Sequence, residues 1–260
     1  MHALILAGGL GTRLRELVPN RPKILASVCE RPFVDYQMSA LRNAGVDGVT
    51  LCVGHLAEQI EEYVADGRRF GLSVTYSTET TPLGTGGAIR RALDSMEADR
   101  FLVVNGDTYL DWDFVGLCHR HGVSGASATV ALTPRPTPEM GLVLLNDSGR
   151  VVEFLEKGMQ DDVSAGDGFA NAGVYVMERS MVASWPDGPA SLERDYLPGL
   201  TREGRVFGQV VAARFHDIGT PAGLRLFEDA ILAGRVPAPA AVSSSLAPEA
   251  TCLADDTSVR

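Results

Sequence analysis

Ala3-Leu4-Ile5-Leu6-Ala7 is five apolar residues in a row, stopped at once by Gly8-Gly9. A run with no polar face suits a strand covered on both sides rather than one wetted on one side. Val49-Thr50-Leu51-Cys52-Val53 and Phe101-Leu102-Val103-Val104 repeat the pattern. Between them lie helical periodicities: Phe33, Ala40, Leu41 and Ala44, ended by Gly45; then Leu56, Ile60, Tyr63 and Val64; then Ala88, Ile89, Ala92, Leu93 and Met96. Strands alternating with helices predict an α/β fold with a mostly parallel sheet and helices on both faces. From about Gly125 the strand candidates crowd together, at 127–132, 141–145, 150–155 and 173–177, which predicts a smaller, more antiparallel half lying against the first.

Thr220-Pro221 has the form of a helix N-cap followed by proline in the first turn, and Leu224, Phe227 and Ile231 give that helix a buried stripe. Beyond Gly234 the chain is rich in Ala, Pro and Ser and lacks period, so the organisation expected is one domain over 1–232 and a flexible tail over 233–260. A net charge of -10 argues against a basic surface for nucleic acid or anionic membrane. The four cysteines, Cys29, Cys52, Cys118 and Cys252, show no paired spacing for zinc or redox chemistry. No leader-like segment and no membrane-length apolar stretch is present, so the expectation is a soluble cytoplasmic protein, compatible with a homo-oligomer.

Directly after the first strand comes Gly8-Gly9-Leu10-Gly11-Thr12-Arg13-Leu14. Glycines let a backbone turn sharply and gather several N–H groups into one concavity, which suits phosphate oxygens. It is neither a dinucleotide fingerprint, since leucine stands where the third glycine belongs, nor a P-loop, since the Lys-Ser/Thr end is missing. The segment is locally basic, with Arg13, Arg15, Arg21, Lys23 and Arg31 against Glu16 and Glu30. Of 23 lysines and arginines only Lys23 and Lys157 are lysine, which marks both as positions needing a compact ammonium rather than a planar fork. Asn105-Gly106-Asp107 puts a carboxylate just past a parallel strand, where ligands of open α/β sheets bind, and Asp217 in His216-Asp217-Ile218-Gly219 offers a second. Both are candidate Mg2+ ligands. Asp111-Trp112-Asp113 is a rival metal motif, of the kind used by glycosyltransferases that consume a nucleotide sugar. Cys118-His119-Arg120-His121 resembles a metal cluster, but residues two apart do not share a helix face, and no zinc is expected.

Taken together, the glycine segment with Pro22-Lys23, then Pro82-Leu83-Gly84-Thr85-Gly86-Gly87, Asn105-Gly106-Asp107, Glu156-Lys157, Asn171-Ala172-Gly173 and Asp217-Ile218-Gly219-Thr220-Pro221 resemble, in order, the motifs of the sugar-1-phosphate nucleotidyltransferases. The likeness covers residues 1 to about 232. Within the family, Pro-Leu-Gly-Thr-Gly-Gly and Asn-Gly-Asp-Thr are most similar to the heptose 1-phosphate guanylyltransferases, with mannose-1-phosphate guanylyltransferases next. The resemblance implies a Rossmann-like sheet joined to a sugar-binding half, and a reaction in which a sugar 1-phosphate attacks the α-phosphorus of an NTP. It implies catalytic roles for Arg13, Lys23 and Asp107, and a nucleotide site of Leu6, Gly8, Gly9, Gly11, Thr12, Glu79, Pro82, Gly84 and Thr85. It also implies a sugar site of Gly141, Glu156, Lys157, Asn171 and Gly173, and Mg2+ or Mn2+ on Asp107 and Asp217.

Two departures bear on the sugar: Gly158 follows Lys157 where many relatives have proline, and Met140-Gly141 replaces an aromatic-glycine pair. Glu79, three residues before Pro82, falls in the segment resembling the base-binding loop. An ionised carboxylate accepts only, which matches the adjacent N1–H and N2 amino donors of guanine, so GTP is the expected nucleotide. A glycosyltransferase using Asp111-Trp112-Asp113 leaves Arg13 and Lys23 without a role, and a nucleotide-sensing pseudoenzyme leaves the intact catalytic positions without one.

Overall fold

The computed structural model describes residues 1–9, 11, 14, 19–134, 141–155, 168–211 and 214–239. Its elements, in chain order, are β1 (His2–Leu6), the short pair β2 (Ser27–Val28) and β3 (Arg31–Pro32), α1 (Phe33–Asn43), β4 (Gly48–Val53), α2 (Ala57–Val64), β5 (Ser73–Thr78) and α3 (Gly84–Ala92). Then come β6 (Arg100–Asn105), β7 (Thr108–Asp111), α4 (Phe114–Ser124), β8 (Ala128–Pro134), β9 (Leu142–Leu145), β10 (Val151–Leu155) and β11 (Phe169–Glu178). Last are α5 (Arg179–Ala183), α6 (Leu197–Arg202), β12 (Val206–Val210), β13 (Arg214–Asp217) and α7 (Pro221–Leu232).

The three apolar runs become the centre of the sheet. Strands β6, β1, β4 and β5 lie side by side and parallel, with Leu6 level with Asn105 on one side and Cys52 on the other. Ala3, Leu4 and Ile5 are fully buried, as a strand covered on both faces requires. The more antiparallel half is present, but it extends the same nine-stranded sheet edge to edge instead of lying against it. The cause is the length of β11: its C-terminal half pairs antiparallel with β6, and at its start Phe169 pairs with β9, while β8 runs along its other edge. The register along β8 breaks between Asn171 and Tyr175, where Gly173 adopts φ +66°, a conformation few side chains tolerate.

Helix α1 follows the sequence cues. Pro32 precedes it, Asp35 lies in its first turn, and Gly45 ends it with Gly45 N–H to Arg42 O at 2.9 Å and Val46 N–H to Leu41 O at 3.0 Å, a Schellman closure. Phe33 and Tyr36 meet Phe227 of α7 edge to face, both at 5.4 Å, and Tyr109 of β7 lies 5.1 Å from the same ring. Each such pair adds roughly 0.5–1.5 kcal/mol beyond area burial, so α1, β7 and α7 are locked together. Thr220 caps α7 by accepting from Gly223 N–H at 3.1 Å, with Pro221 in the first turn. Packing runs past the boundary expected at 232: Val236 is buried, and the Pro239 carbonyl accepts from Arg31. Residues 240–260 lie outside the described residues. Among the described residues no helix is long and apolar enough to cross a membrane.

Candidate active site

The C-terminal ends of β1, β4, β5 and β6 open into one cleft of about 320 Å3, lined by Leu6, Gly8, Gly9, Lys23, Cys52, Glu79, Pro82, Gly84, Thr85, Ala88, Asn105, Gly106 and Asp107. Nine residues expected at the catalytic and nucleotide positions therefore share one wall or floor. Gly11 sits just outside, at φ +58° and near the Lys23 side chain, and buried Leu14 donates its N–H to the Gly11 carbonyl at 3.0 Å. Thr12 and Arg13 lie outside the described residues.

Lys23 is placed by Pro22 and by a single 3-10 turn, Lys23–Leu25, whose Ile24 and Leu25 are buried. Its ammonium donates to Asp107 Oδ2 at 2.6 Å, with the two side chains 22% and 16% exposed. Both charges are thus largely desolvated, yet they line the cleft, where an incoming phosphate or cation can take either partner's place. Asp107 stands in the turn between β6 and β7, and β13 pairs antiparallel with β7 so that Asp217 lies opposite Thr108. The Ile218 N–H donates to the Asp107 carbonyl at 2.9 Å, which ties the two aspartates' backbones together. Asp217 Oδ1 accepts from Gly219 N–H at 2.6 Å, closing the turn into α7.

Glu79 follows β5. Its Oε2 accepts from Leu83 N–H at 3.0 Å, which orients the carboxylate, and its Oε1 faces Gly8 and Gly54. A Cβ on Gly8 would approach Oε1 to 2.5 Å and one on Gly54 to 2.9 Å, so these glycines make the room the carboxylate occupies. Gly9 differs: among the described residues a Cβ there would meet nothing within 4 Å.

The glycines of Pro82–Gly87 have another cause. Gly86 and Gly87 N–H both donate to the Ala190 carbonyl, at 2.8 and 3.2 Å, and a Cβ on Gly84 would come within 2.6 Å of the same oxygen. They let the chain around Ala190 lie against the start of α3. That contact delivers Glu193, which the sequence reading missed. Glu193 Oε2 accepts from Thr85 at 2.7 Å and Ser191 at 3.2 Å, and Oε1 accepts from Tyr175 at 3.0 Å. Tyr175 in turn accepts from Asn171 Nδ2 at 2.6 Å, and Asn171 Oδ1 accepts from Gly173 N–H. One network thus joins Thr85, on the nucleotide side, to Asn171 and Gly173, expected on the sugar side. Gly173 also touches the β6–β7 turn, where a Cβ would come within 2.7 Å of Asn105 Nδ2. Gly141 stands just before β9, and Glu156 and Lys157 lie outside the described residues.

The rival motifs have structural occupations. Asp113 caps α4, its Oδ1 accepting from Gly116 N–H at 2.8 Å, and Asp111 closes β7 away from the cleft lining. His121 is buried, hydrogen bonded to Thr129 at 2.7 Å and Glu178 at 3.0 Å.

A cleft at the carboxyl ends of parallel strands, lined by glycines and a lysine-aspartate pair, has the chemistry to receive a phosphorylated ligand. The nucleotidyl transferase family profile matches residues 2–233. The chain belongs to that family. This nucleotidyltransferase is 37% identical over 223 residues to the D-glycero-alpha-D-manno-heptose 1-phosphate guanylyltransferase of Aneurinibacillus thermoaerophilus, covering 85% of this chain and 94% of that one. It is 34% identical to the mannose-1-phosphate guanylyltransferase of Mycobacterium tuberculosis, over 92% of this chain and 67% of the relative. Among solved structures it is similar to HddC from Yersinia pseudotuberculosis, with a TM-score of 0.77, 29% identity, and coverage of 88% of this chain and 99% of that one. That protein is also known complexed with GMP-PN.

Proposed function

We propose that this nucleotidyltransferase moves GMP from GTP onto a heptose 1-phosphate and releases pyrophosphate. The observation that carries the reading is the 2.6 Å Lys23–Asp107 pair, set beside Gly8 and Gly9 and below Glu79 in one cleft. An oxygen of the sugar phosphate attacks the α-phosphorus of GTP in line. The bond from that phosphorus to the β-bridging oxygen breaks, and pyrophosphate leaves with the electron pair. Such a transfer needs positioning and neutralised charge rather than a protein nucleophile.

In this reading the Lys23 ammonium exchanges Asp107 for the α-phosphate, and Arg13 meets the departing pyrophosphate. Asp107 and Asp217, hard-oxygen donors on paired strands, suit Mg2+ or Mn2+, which are commonly held by one or two carboxylates together with substrate phosphates. When bound, the ion draws charge from the phosphate oxygens. Glu79 accepts from guanine N1–H and the N2 amino group, its carboxylate already oriented by Leu83 N–H. Gly141, Glu156, Lys157, Asn171 and Gly173 receive the sugar phosphate, with Glu193 holding Asn171 in place through Tyr175.

The similarity to the Aneurinibacillus enzyme supports a heptose acceptor, and the similarity to the Mycobacterium enzyme makes mannose 1-phosphate the alternative. Pyrophosphate release, measured for four NTPs against a panel of sugar 1-phosphates, tests the whole reading. GTP with a heptose 1-phosphate is expected to give the highest kcat/KM. Glu79→Gln is expected to lower the GTP preference by roughly 1 to 3 kcal/mol, the cost of losing one charged acceptor in a paired contact. Equal kcat/KM for GTP and UTP in the unaltered protein ends the guanine assignment.

A further inference from the structure

We infer that Gln37 is a positioning residue that clamps the turn carrying Asp107. The inference rests on the reading of Asp107 as a metal ligand in nucleotidyl transfer. Gln37 lies mid-way along α1 and is only 3% exposed. Its Nε2 donates to the Asn105 carbonyl at 3.0 Å and to the Thr108 carbonyl at 2.7 Å. These two carbonyls bracket Gly106-Asp107, so one amide group spans the turn from end to end.

The chemistry requires an amide in this orientation. Two buried carbonyls can only accept, and an amide nitrogen offers two N–H donors from one atom. Turned over, the side chain would set its oxygen against both carbonyls. The orientation leaves Gln37 Oε1 buried without a hydrogen-bond partner, a cost that pairing both turn carbonyls offsets.

The rest of the turn is fastened elsewhere: Gly106 N–H donates to the Leu6 carbonyl at 3.0 Å, and the Asp107 carbonyl accepts from Ile218 N–H at 2.9 Å. Those bonds tie the turn to β1 and to the segment after β13. Gln37 hydrogen bonds its two ends through a single amide group, and α1 is held rigid for the task by Phe33, Tyr36 and Phe227. Losing the clamp frees the Asp107 carboxylate to move relative to Asp217 and Lys23 while leaving the Glu79 side of the cleft intact.

Gln37→Met keeps the length and bulk and removes both donors. Hydrogen exchange of the 104–110 backbone, without substrates, is expected to accelerate roughly tenfold, as loss of one to two buried hydrogen bonds implies. Mn2+ binding in the presence of GTP, followed by electron paramagnetic resonance, is expected to weaken about tenfold, and kcat to fall similarly, with KM for GTP within about twofold. Met38→Ala, a fully buried neighbouring change that leaves both Gln37 hydrogen bonds in place, supplies a control for general loss of stability. A variant with unchanged exchange and Mn2+ affinity overturns the clamp, as does one whose losses match Met38→Ala in every readout. Should Gln37→Met not fold, the unaltered protein decides: the Gln37 side-chain amide protons are expected to be protected in NMR exchange, and rapid exchange overturns the inference. If the unaltered protein shows no guanylyl transfer, the functional reading fails by itself, and the exchange and Mn2+ measurements still judge the clamp.

Discussion

Strand β6 carries an ion cluster at each end, and the two are built on opposite principles. At its start, Arg100 donates to Glu178 Oε1 through Nε and Nη2, each at 2.7 Å, and the same oxygen meets His121 Nε2, whose ring is held from the other side by Thr129. Just past its other end, Asp107 meets Lys23 in a cleft walled by Gly8 and Gly9. The first cluster is closed only at its centre, where the His121 ring is fully buried while Arg100 and Glu178 stay 42% and 27% exposed, and it ties α4, β6, β8 and β11 together. The second is a single contact at the mouth of a cavity. On the proposed function the first cluster serves the fold and the second exchanges with a ligand, so substitutions at the two ends should separate stability from activity.

The largest effect is expected at the open end. Lys23→Arg keeps the charge and replaces a compact ammonium by a planar fork that cannot occupy the same point between Asp107 and a phosphate. Steady-state assays should show a loss on the order of 10²-fold in kcat/KM, with thermal unfolding nearly unchanged. Near-wild-type turnover would mean that this pair is as structural as the one at Arg100.

Next in size is the closed end, and here the expectation reverses. Glu178→Gln removes the charge that half-exposed Arg100 and buried His121 share, and because solvent screens the Arg100 contact the expected loss is roughly 0.5 to 1.5 kcal/mol of stability by urea unfolding. The kcat/KM of the folded variant should stay within about twofold. A variant that keeps its stability and loses activity would show that the two ends of β6 communicate, and the contrast drawn from their geometry would be lost.

How legible each end was in the sequence follows the same division. Gly8, Gly9, Glu79 and Asp107 follow parallel strands closely, so reading the strands brought them to one end of the sheet, whereas Lys23, Pro82 and Gly84 came to the same cleft only through the motif resemblance. Glu193 left no such mark. It reaches Thr85 only because Gly84, Gly86 and Gly87 admit the Ala190 segment, a contact between positions about a hundred residues apart that no local period announces. Gln37 was hidden differently: one polar residue within a helix reads as a solvated face, and its burial appears only once β7 and α7 are packed on α1. The edge-to-edge joining of the two halves was also illegible, since it depends on β11 pairing with β6 and β9 along different parts of its length.

The smallest effect is expected from protons at the closed end. Burial lowers the His121 pKa from its ordinary 6.5, outweighing the opposing pull of Glu178 and assisted by Arg100. The unfolded chain therefore binds more protons than the folded one once pH falls below about 6.5, and stability must decline through that window. Each unit separating folded and unfolded values contributes about 1.4 kcal/mol, present in full above the unfolded value and lost as pH falls toward the folded one. His2 is shifted in the same direction by burial, so the wild-type slope alone does not isolate His121. His121→Gln does: it retains a donor and an acceptor for Glu178 and Thr129 but cannot titrate. Urea unfolding at pH 8, 7, 6 and 5 should show the variant less stable than wild type at pH 8, with a shallower fall toward pH 5. Parallel slopes for the two proteins would mean that the buried imidazole does not couple protons to folding, and would leave the Arg100 cluster as an ion pair without a titrating member.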